Sequence, residues 1–126
     1  MRNAAALMEF VFCLPLLLTI TFGTIETCRM MYLKQSLKIA AYETARLAIL
    51  PGVTPADLQE HCELFLTSRH LEGHQLRCQP ADPNDAQFGD LIRITVTMPA
   101  EANALVGAWF YQGDVLVETA NIMAEY

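Results

Sequence analysis

The second half of the chain carries histidine and cysteine side chains that could bind a metal ion or take part in thiol chemistry. They are His61, Cys62, His70, His74 and Cys78. Imidazole and thiolate are common zinc ligands, but the group lacks the paired C-x₂-C spacing that marks structural zinc sites. The residues by themselves leave three states open: a metal or redox site, two free thiols, and a disulfide between the two cysteines.

The other polar residues show no arrangement typical of an enzyme. There is no Gly-rich phosphate-binding loop, and no serine or cysteine lies in a nucleophile motif. The formal net charge is −6 and the eight basic residues are scattered, whereas nucleic-acid binding requires a clustered basic surface. We therefore expect no catalytic residue, metal or cofactor, and neither a nucleic acid nor a small molecule as a partner.

The remaining charged residue of interest is a carboxylate, Glu9, at the entrance to an apolar segment. The run Phe10–Ile25 contains no charge, and with the apolar flank at 4–8 the segment reaches the length of about 20 residues that a membrane span needs. An ionisable residue within such a segment is costly and usually functional. A cleaved secretory signal is the competing interpretation, but no small-x-small site closes the run.

The elements that must position these residues begin with one long helix. Apolar and small residues recur at helical spacing beyond the apolar run, which predicts a helix from Ala5 to Leu50, ended by Pro51-Gly52. At ~1.5 Å per residue this helix is nearly 70 Å long. Its front half suits lipid, and its amphipathic rear half forms the spine of a small head. Pro15 removes one helical hydrogen bond and Gly23 adds a second soft point.

The head is predicted to add a second helix and about three strands. Thr54 is a suitable N-cap for the helix, Asp57 lies in its first turn and Gly73 ends it. Segments 74–79, 90–98 and 115–126 read as strands. In the second of these, alternate residues form an apolar face, namely Ile92, Ile94, Val96 and Met98. The predicted fold class is α+β with a small antiparallel sheet.

The segment 101–114 is ambiguous between a short helix and a loop. It contains an aromatic cluster, Trp109, Phe110 and Tyr111. A core position is favoured for this cluster over an exposed contact site for another protein.

The N-terminal residues resemble those of the TadE-like family, which comprises pseudopilins or minor pilins of tight-adherence (Flp-type, type IV-like) pilus systems. The matching features are the small residues before Glu9-Phe10, then Leu14-Pro15, Gly23, Glu26, Arg29, Leu37, Ala40-Ala41, Ala45-Arg46 and Ala48. The resemblance covers about the first fifty residues. The later half resembles the family only loosely, mainly through "GDLIRITVTMPA" and "VLVETANIMAEY".

The resemblance implies processing by a prepilin peptidase. The cut would fall between Ala4 and Ala5 and make Glu9 the fifth mature residue; where the family prefers Gly before the cut, this chain has Ala4. The new α-amino group could then pair with Glu9 of a neighbouring subunit within an apolar bundle, where a charge is tolerated only when it is paired. Glu9 would set the subunit register, and Phe10, Pro15 and Gly23 would belong to the same assembly helix.

The implied domain organisation has three parts. Residues 1–4 form a short leader, residues 5–28 form the transmembrane, pilin-like half of the helix, and residues 29–126 form an α+β head. The N-terminus would be cytoplasmic, as Arg2 before the span also suggests, and the head would lie outside the cytoplasmic (inner) membrane, with the chain possessing a single span. The implied partners are other pilin or pseudopilin subunits, the assembly platform, the prepilin peptidase and the membrane.

The implied extracytoplasmic location also bears on the cysteines. Disulfides persist in oxidising compartments, so the resemblance favours a Cys62–Cys78 disulfide that pins the second helix to the following strand. Two other functions remain open. One is an uncleaved single-pass anchor with an extracytoplasmic interaction domain, and the other is a membrane-tethered metal or redox module.

Overall fold

A single helix dominates the structure. The computed structural model describes residues 2–107 and 110–125. Helix α1 spans Arg2–Ala48 and is followed by a turn in which Gly52 takes a positive φ of 83°. At about 1.5 Å per residue, α1 is roughly 70 Å long. The predicted long helix is confirmed, and it ends two residues before the predicted Leu50 because Leu50 N–H already bonds to the Leu47 carbonyl in a tighter turn.

Helix α2 spans Pro55–Ser68 and begins with the predicted cap. The Thr54 hydroxyl accepts the Asp57 N–H, and the Asp57 carboxylate accepts the Thr54 N–H at 2.8 Å. This reciprocal pair is a capping box, and it holds the carboxyl group of Asp57 in its charged form, which lowers its pKa through the hydrogen bonds to Thr54.

The end of α2 differs from the prediction at Gly73. His70 takes a left-handed φ of 58°, its N–H bonds to the Thr67 carbonyl, and the Leu71 N–H bonds to the Leu66 carbonyl. These two bonds form a Schellman motif, in which the buried side chains of Leu66 and Leu71 supply the accompanying apolar contact. The helix therefore ends where the chain reverses its direction and buries Leu71. Gly73, which was expected to end the helix, lies beyond this turn.

The three predicted strands form one antiparallel sheet. Strand β1 spans Gln75–Gln79, β2 spans Leu91–Pro99 and β3 spans Val115–Met123. Their order is β1-β2-β3, so β2 is central, with Cys78 opposite Ile94 and Ile94 opposite Ala120. The predicted α+β fold class is confirmed.

The core lies between this sheet, α2 and the rear half of α1. The predicted apolar face of β2 is fully buried, and it meets a stripe of α1 that repeats every three to four residues. That stripe consists of Met30, Leu33, Leu37, Ala40, Ala41, Ala45 and Ala48. The four alanines of the stripe let the sheet and α2 approach α1 closely, so the rear half of α1 is the spine of the head.

The described parts of the ambiguous segment between β2 and β3 are mostly irregular. They start with a short 3-10 turn, Glu101–Asn103, and bonds from Leu105 and Val106 to Glu26 attach them to α1. We call the described residues 104–107 and 110–114 the junction loop. Trp109 falls outside the described residues, while Phe110 is 43 % exposed and Tyr111 is half-buried.

Candidate functional site

The front half of α1 projects from the head without covering. Every residue from Asn3 to Phe22 is exposed, including Glu9 and the large apolar side chains such as Phe12, which is 76 % exposed. Among the described residues, one helix, Asn3–Ala48, is long and apolar enough to cross a membrane by length and composition. An apolar surface exposed on all sides of a helix is typical of a segment that lipid or other helices cover.

The predicted assembly positions all lie on this exposed half. Ala4, Ala5, Glu9 and Phe10 are exposed. Pro15 lies within α1, which is helical on both sides of it. These residues share one helix and therefore a fixed spacing, and all four exposed residues remain uncovered by the described part of the head.

The threonine side chains along this part of α1 form hydrogen bonds within the helix. The hydroxyl groups of Thr19, Thr21, Thr24 and Thr27 each donate to the carbonyl four residues earlier at 2.8 Å. Because lipid offers no hydrogen-bond partners, this internal pairing removes the cost of placing a hydroxyl in hydrocarbon. The threonines are thus compatible with an apolar environment.

Glu26 marks the point where α1 enters the head. Its side chain is fully buried, and Oε2 accepts the backbone N–H groups of Leu105 and Val106 at 3.2 and 3.0 Å. The other oxygen, Oε1, is buried and has no hydrogen-bond partner among the described residues. Burying a carboxylate costs free energy unless it is hydrogen-bonded, so the two bonds from the junction loop offset part of the cost of burying Glu26. They also attach the loop to the helix.

A second set of polar contacts supports the junction. Arg29 lies one turn after Glu26, and its Nε donates to the Asn103 carbonyl at 3.0 Å. The buried Asn103 side chain accepts the Glu72 N–H at 3.0 Å and donates to the Glu72 carbonyl at 2.9 Å. Asn103 therefore ties the end of α2 to the start of the junction loop.

The contacts of the junction loop continue toward the apolar half. The Tyr111 and Thr27 hydroxyl groups lie 3.3 Å apart, and two ring atoms of Phe110 lie 3.9 Å from the position that a Cβ on Gly23 would take. Gly23 is thus where an aromatic ring packs on the helix. The sequence singled out Gly23 as a soft point, and the structure gives it a packing role.

Sequence reasoning noted Glu26 only as a matching feature and assigned it no function. The signal was present, because Glu26 is the first charge after the uncharged run Phe10–Ile25. What the sequence could not supply was its partners, which lie about eighty positions away.

The cysteine and histidine group does not form a ligand cluster. Among the described residues, no three His, Cys, Asp or Glu side chains are placed to hold a metal ion. His61 and His70 are exposed, while Nδ1 of His74 is buried without a partner in the described part of the chain.

The structure shows no bond between Cys62 and Cys78, so the predicted disulfide is not confirmed. Cys62, on α2, and Cys78, on β1, are both free thiols. Burial raises the pKa of Cys62, and the charge of Glu63 adds to the increase. Burial and the charge of Asp82 raise the pKa of Cys78. Both groups are therefore held as thiols, and the Cys62–Cys78 pairing stays a prediction.

Comparison with known proteins bears on the long helix. Residues 4–46 match the family model described as TadE-like protein. The long helix of this chain is TadE-like. The match begins and ends within α1 and stops before α2, and no curated protein or solved structure gives a significant match.

The TadE-like match relates the exposed half of α1 to a known class of proteins. The family points to pilus systems of the Tad or Flp type, and its members are structural proteins that are not known as enzymes. The apolar front half is a candidate membrane anchor, consistent with a membrane-anchored pilus protein. The TadE-like range includes Glu9, Gly23 and Glu26, so both the exposed carboxylate and the buried one belong to it.

Proposed function

We propose that this chain is a pseudopilin or minor pilin that acts in the assembly of a tight-adherence, type IV-like pilus and has no enzymatic activity. The observation that carries the proposal is the combination of a TadE-like helix with a front half exposed on every side. A surface of that length and apolarity requires a covering, which lipid provides before assembly and neighbouring helices provide afterwards.

In this mechanism Glu9 sets the register between subunits. A prepilin peptidase cuts between Ala4 and Ala5, and the resulting α-amino group of one subunit pairs with Glu9 of another. The amine and the carboxylate of one chain are separated by one helical turn, so a neighbour offset along the helix axis can satisfy both. The exposure of Glu9 supports this role because the side chain is accessible to a partner from outside its own chain.

The remaining parts have separate tasks. Residues 5–28 anchor the subunit in the cytoplasmic membrane and then pack in the helical bundle, with Phe10, Pro15 and Gly23 in the packed segment. Residues 29–126 form a head on the extracytoplasmic side that contacts other subunits or the assembly platform. The N-terminus lies in the cytoplasm, where residues 1–4 act as the leader.

The deciding experiment is the intact mass and N-terminal sequence of the protein from membranes of cells with and without an active prepilin peptidase. We expect the mature chain to begin at Ala5 only when the peptidase is active. A chain that begins at Met1 in both strains contradicts the pilin mechanism and leaves the second candidate, an uncleaved single-pass anchor with an extracytoplasmic interaction domain. The exposed apolar half supports that candidate equally, because an anchor needs no cleavage.

Glu9 provides the second readout. A Glu9→Gln chain should insert in the membrane as the parent does, because the substitution leaves the apolar run intact. It should be lost from sheared pili or from the assembly complex, since it can no longer neutralise a neighbour's amine. Glu43→Gln, on the head portion of the same helix, is the matched control and should assemble normally. Equal recovery of both variants would contradict the register role.

A further inference from the structure

The junction loop exposes apolar side chains beside the end of the lipid-facing half. Leu105 is 64 % exposed, Val106 39 % and Phe110 43 %. They lie on either side of residues 108–109, on a loop whose backbone is held against α1 by Glu26. An exposed apolar cluster held in place by a buried carboxylate differs from a scattered surface leucine, because it is presented at one fixed position.

The level of this cluster along α1 follows from its contacts. Phe110 packs beside Gly23, Leu105 and Val106 bond to Glu26, and Tyr111 lies against Thr27. The axial distance from Gly23 to Thr27 is about 6 Å. Gly23 lies inside the uncharged run that ends at Ile25, so the Phe110 ring sits on the apolar side of Glu26.

The length of the apolar segment places this level relative to a bilayer. From Ala5 to Ile25 the helix rises about 30 Å, which equals the thickness of a typical hydrocarbon core. Glu26 then lies at the boundary of the hydrocarbon and Arg29 at the level of the headgroups. Aromatic side chains are enriched at both membrane–water interfaces, where their rings lie at the level of the headgroups.

We propose that the junction loop is a membrane-interface element whose side chains Leu105, Val106 and Phe110 enter the boundary between lipid headgroups and acyl chains. The proposal rests on the membrane anchoring in the proposed function and adds a second contact between head and bilayer. Its occupant is the lipid surface, because the cluster is continuous with the lipid-facing face of α1 through Ile20, Gly23 and Thr24, which line one groove with Phe110.

The consequence is that the head has a fixed orientation relative to the membrane. The helix fixes one point at the membrane surface and the junction loop fixes a second point beside it. Glu26 makes this possible, since it keeps the loop backbone paired at the boundary where water is scarce. The orientation of the head toward other subunits is therefore set before assembly.

The test uses single-tryptophan chains in vesicles. The chain has one tryptophan, Trp109, which is replaced by Phe to give a silent background. Tryptophan is then introduced as Phe12→Trp in the anchor, Phe110→Trp in the junction loop or Phe88→Trp in the head. Phe88 is 78 % exposed and follows the 3-10 turn Pro83–Asp85, whose Asn84 bonds to Gly52 and Val53 beyond the far end of α1. Each full-length chain is reconstituted in phosphatidylcholine vesicles with or without bromine on the acyl chains.

The pattern of quenching separates the outcomes. We expect bromine near the headgroups to quench Phe110→Trp strongly, Phe12→Trp to be quenched most by bromine deeper in the chains, and Phe88→Trp to change little. Quenching of Phe12→Trp without quenching of Phe110→Trp overturns the interface proposal, whether the ring faces water or another protein, and leaves the anchor intact. Failure to quench Phe12→Trp overturns the anchor and the interface together.

A second pair of variants protects against local disruption by the new indole. Leu105→Trp replaces the loop residue and Leu64→Trp replaces a leucine of α2 with the same exposure of 64 %. Only Leu105→Trp should be quenched by brominated lipid. Equal responses of the two variants contradict the proposal.

Discussion

The carboxylate of Glu26 accepts the backbone N–H of Val106 at 3.0 Å across eighty positions of sequence. This contact joins the end of the apolar half of α1 to the loop between the last two strands. The boundary of the apolar run is therefore also the place where the loop is attached to the helix, and we call this attachment the joint.

Replacing Glu26 should release the junction loop. Glu26→Ala removes both acceptor bonds, and we expect a loss of about 2 kcal/mol in unfolding free energy, because bonds to a charged group are strong and the unpartnered Oε1 partly offsets them. Glu26→Gln keeps an acceptor oxygen and should lose much less. Amide hydrogen exchange at Leu105 and Val106 measures the release directly. Unchanged protection of these amides in Glu26→Ala would show that other contacts hold the loop.

Asn103 should be the second sensitive position of the joint. Asn103→Ala removes the acceptor and the donor for the backbone of Glu72, and we expect a cost of about 2 kcal/mol in denaturant unfolding. Asn121 is an exposed asparagine on β3 that accepts one hydrogen bond from Arg93, so Asn121→Ala should cost less than about 0.5 kcal/mol. Similar losses for the two variants would contradict a special role for Asn103.

Glycine substitutions at two histidines, one within α2 and one just after it, should change the stability of the protein in opposite directions. His70 has a left-handed φ, so His70→Gly should stabilise the protein by roughly 0.5–1 kcal/mol, because glycine adopts this conformation without a Cβ clash. His61 is exposed within α2, and His61→Gly should destabilise by about 0.5 kcal/mol through lower helix propensity. Thermal unfolding of both variants in detergent tests the signs. A destabilised His70→Gly would mean that the imidazole makes a favourable contact.

The raised pKa values of Cys62 and Cys78 predict a stability that falls at high pH. The folded state keeps both protons above the pKa of an unfolded cysteine, near 8.5, so it binds more protons than the unfolded state there. The contribution is complete below that pH and is lost as the pH rises toward the higher folded pKa values. Urea unfolding between neutral and alkaline pH should show this loss, and Cys62→Ala should reduce its slope. A slope that is unchanged in Cys62→Ala would contradict the assigned cause.

Thiol labelling tests the same environment and the unconfirmed disulfide. Under reducing conditions at neutral pH, iodoacetamide should modify the exposed Cys28 well before the buried Cys62, because only the thiolate reacts. Without reductant, protein from native membranes in which neither Cys62 nor Cys78 can be labelled, but both can after reduction, would establish the predicted disulfide. Labelling of both without reductant would refute it.

Several features of this protein followed from local sequence. The apolar run, the helical spacing behind it, the capping residues of α2 and the alternation in β2 each depend on neighbours within a few residues, so the α+β class, α1, the start of α2 and the apolar face Ile92–Met98 were predicted correctly. The close part of the TadE-like resemblance lay in about the first fifty residues, and the family model matches residues 4–46, within α1.

Other features were decided by tertiary structure. The position of the reversal at His70 depends on the burial of Leu71, and glycine at 73 gave a misleading local signal. The state of Cys62 and Cys78 depends on how α2 and β1 pack, which spacing alone does not determine. In the described parts of the ambiguous segment 101–114, the backbone N–H groups of Leu105 and Val106 bond to the Glu26 side chain of α1.

The sequence by itself therefore determined the candidate anchor and the spine, because an apolar segment of that length and a continuing helical pattern are properties of consecutive residues. Only the tertiary structure decided that Glu26 faces the junction loop while Glu9 stays exposed. The two carboxylates flank the same apolar run, and nothing in their immediate neighbours separates them. The difference is that the junction loop lies beside α1 at Glu26, where two backbone N–H groups need an acceptor. No described part of the head lies beside Glu9.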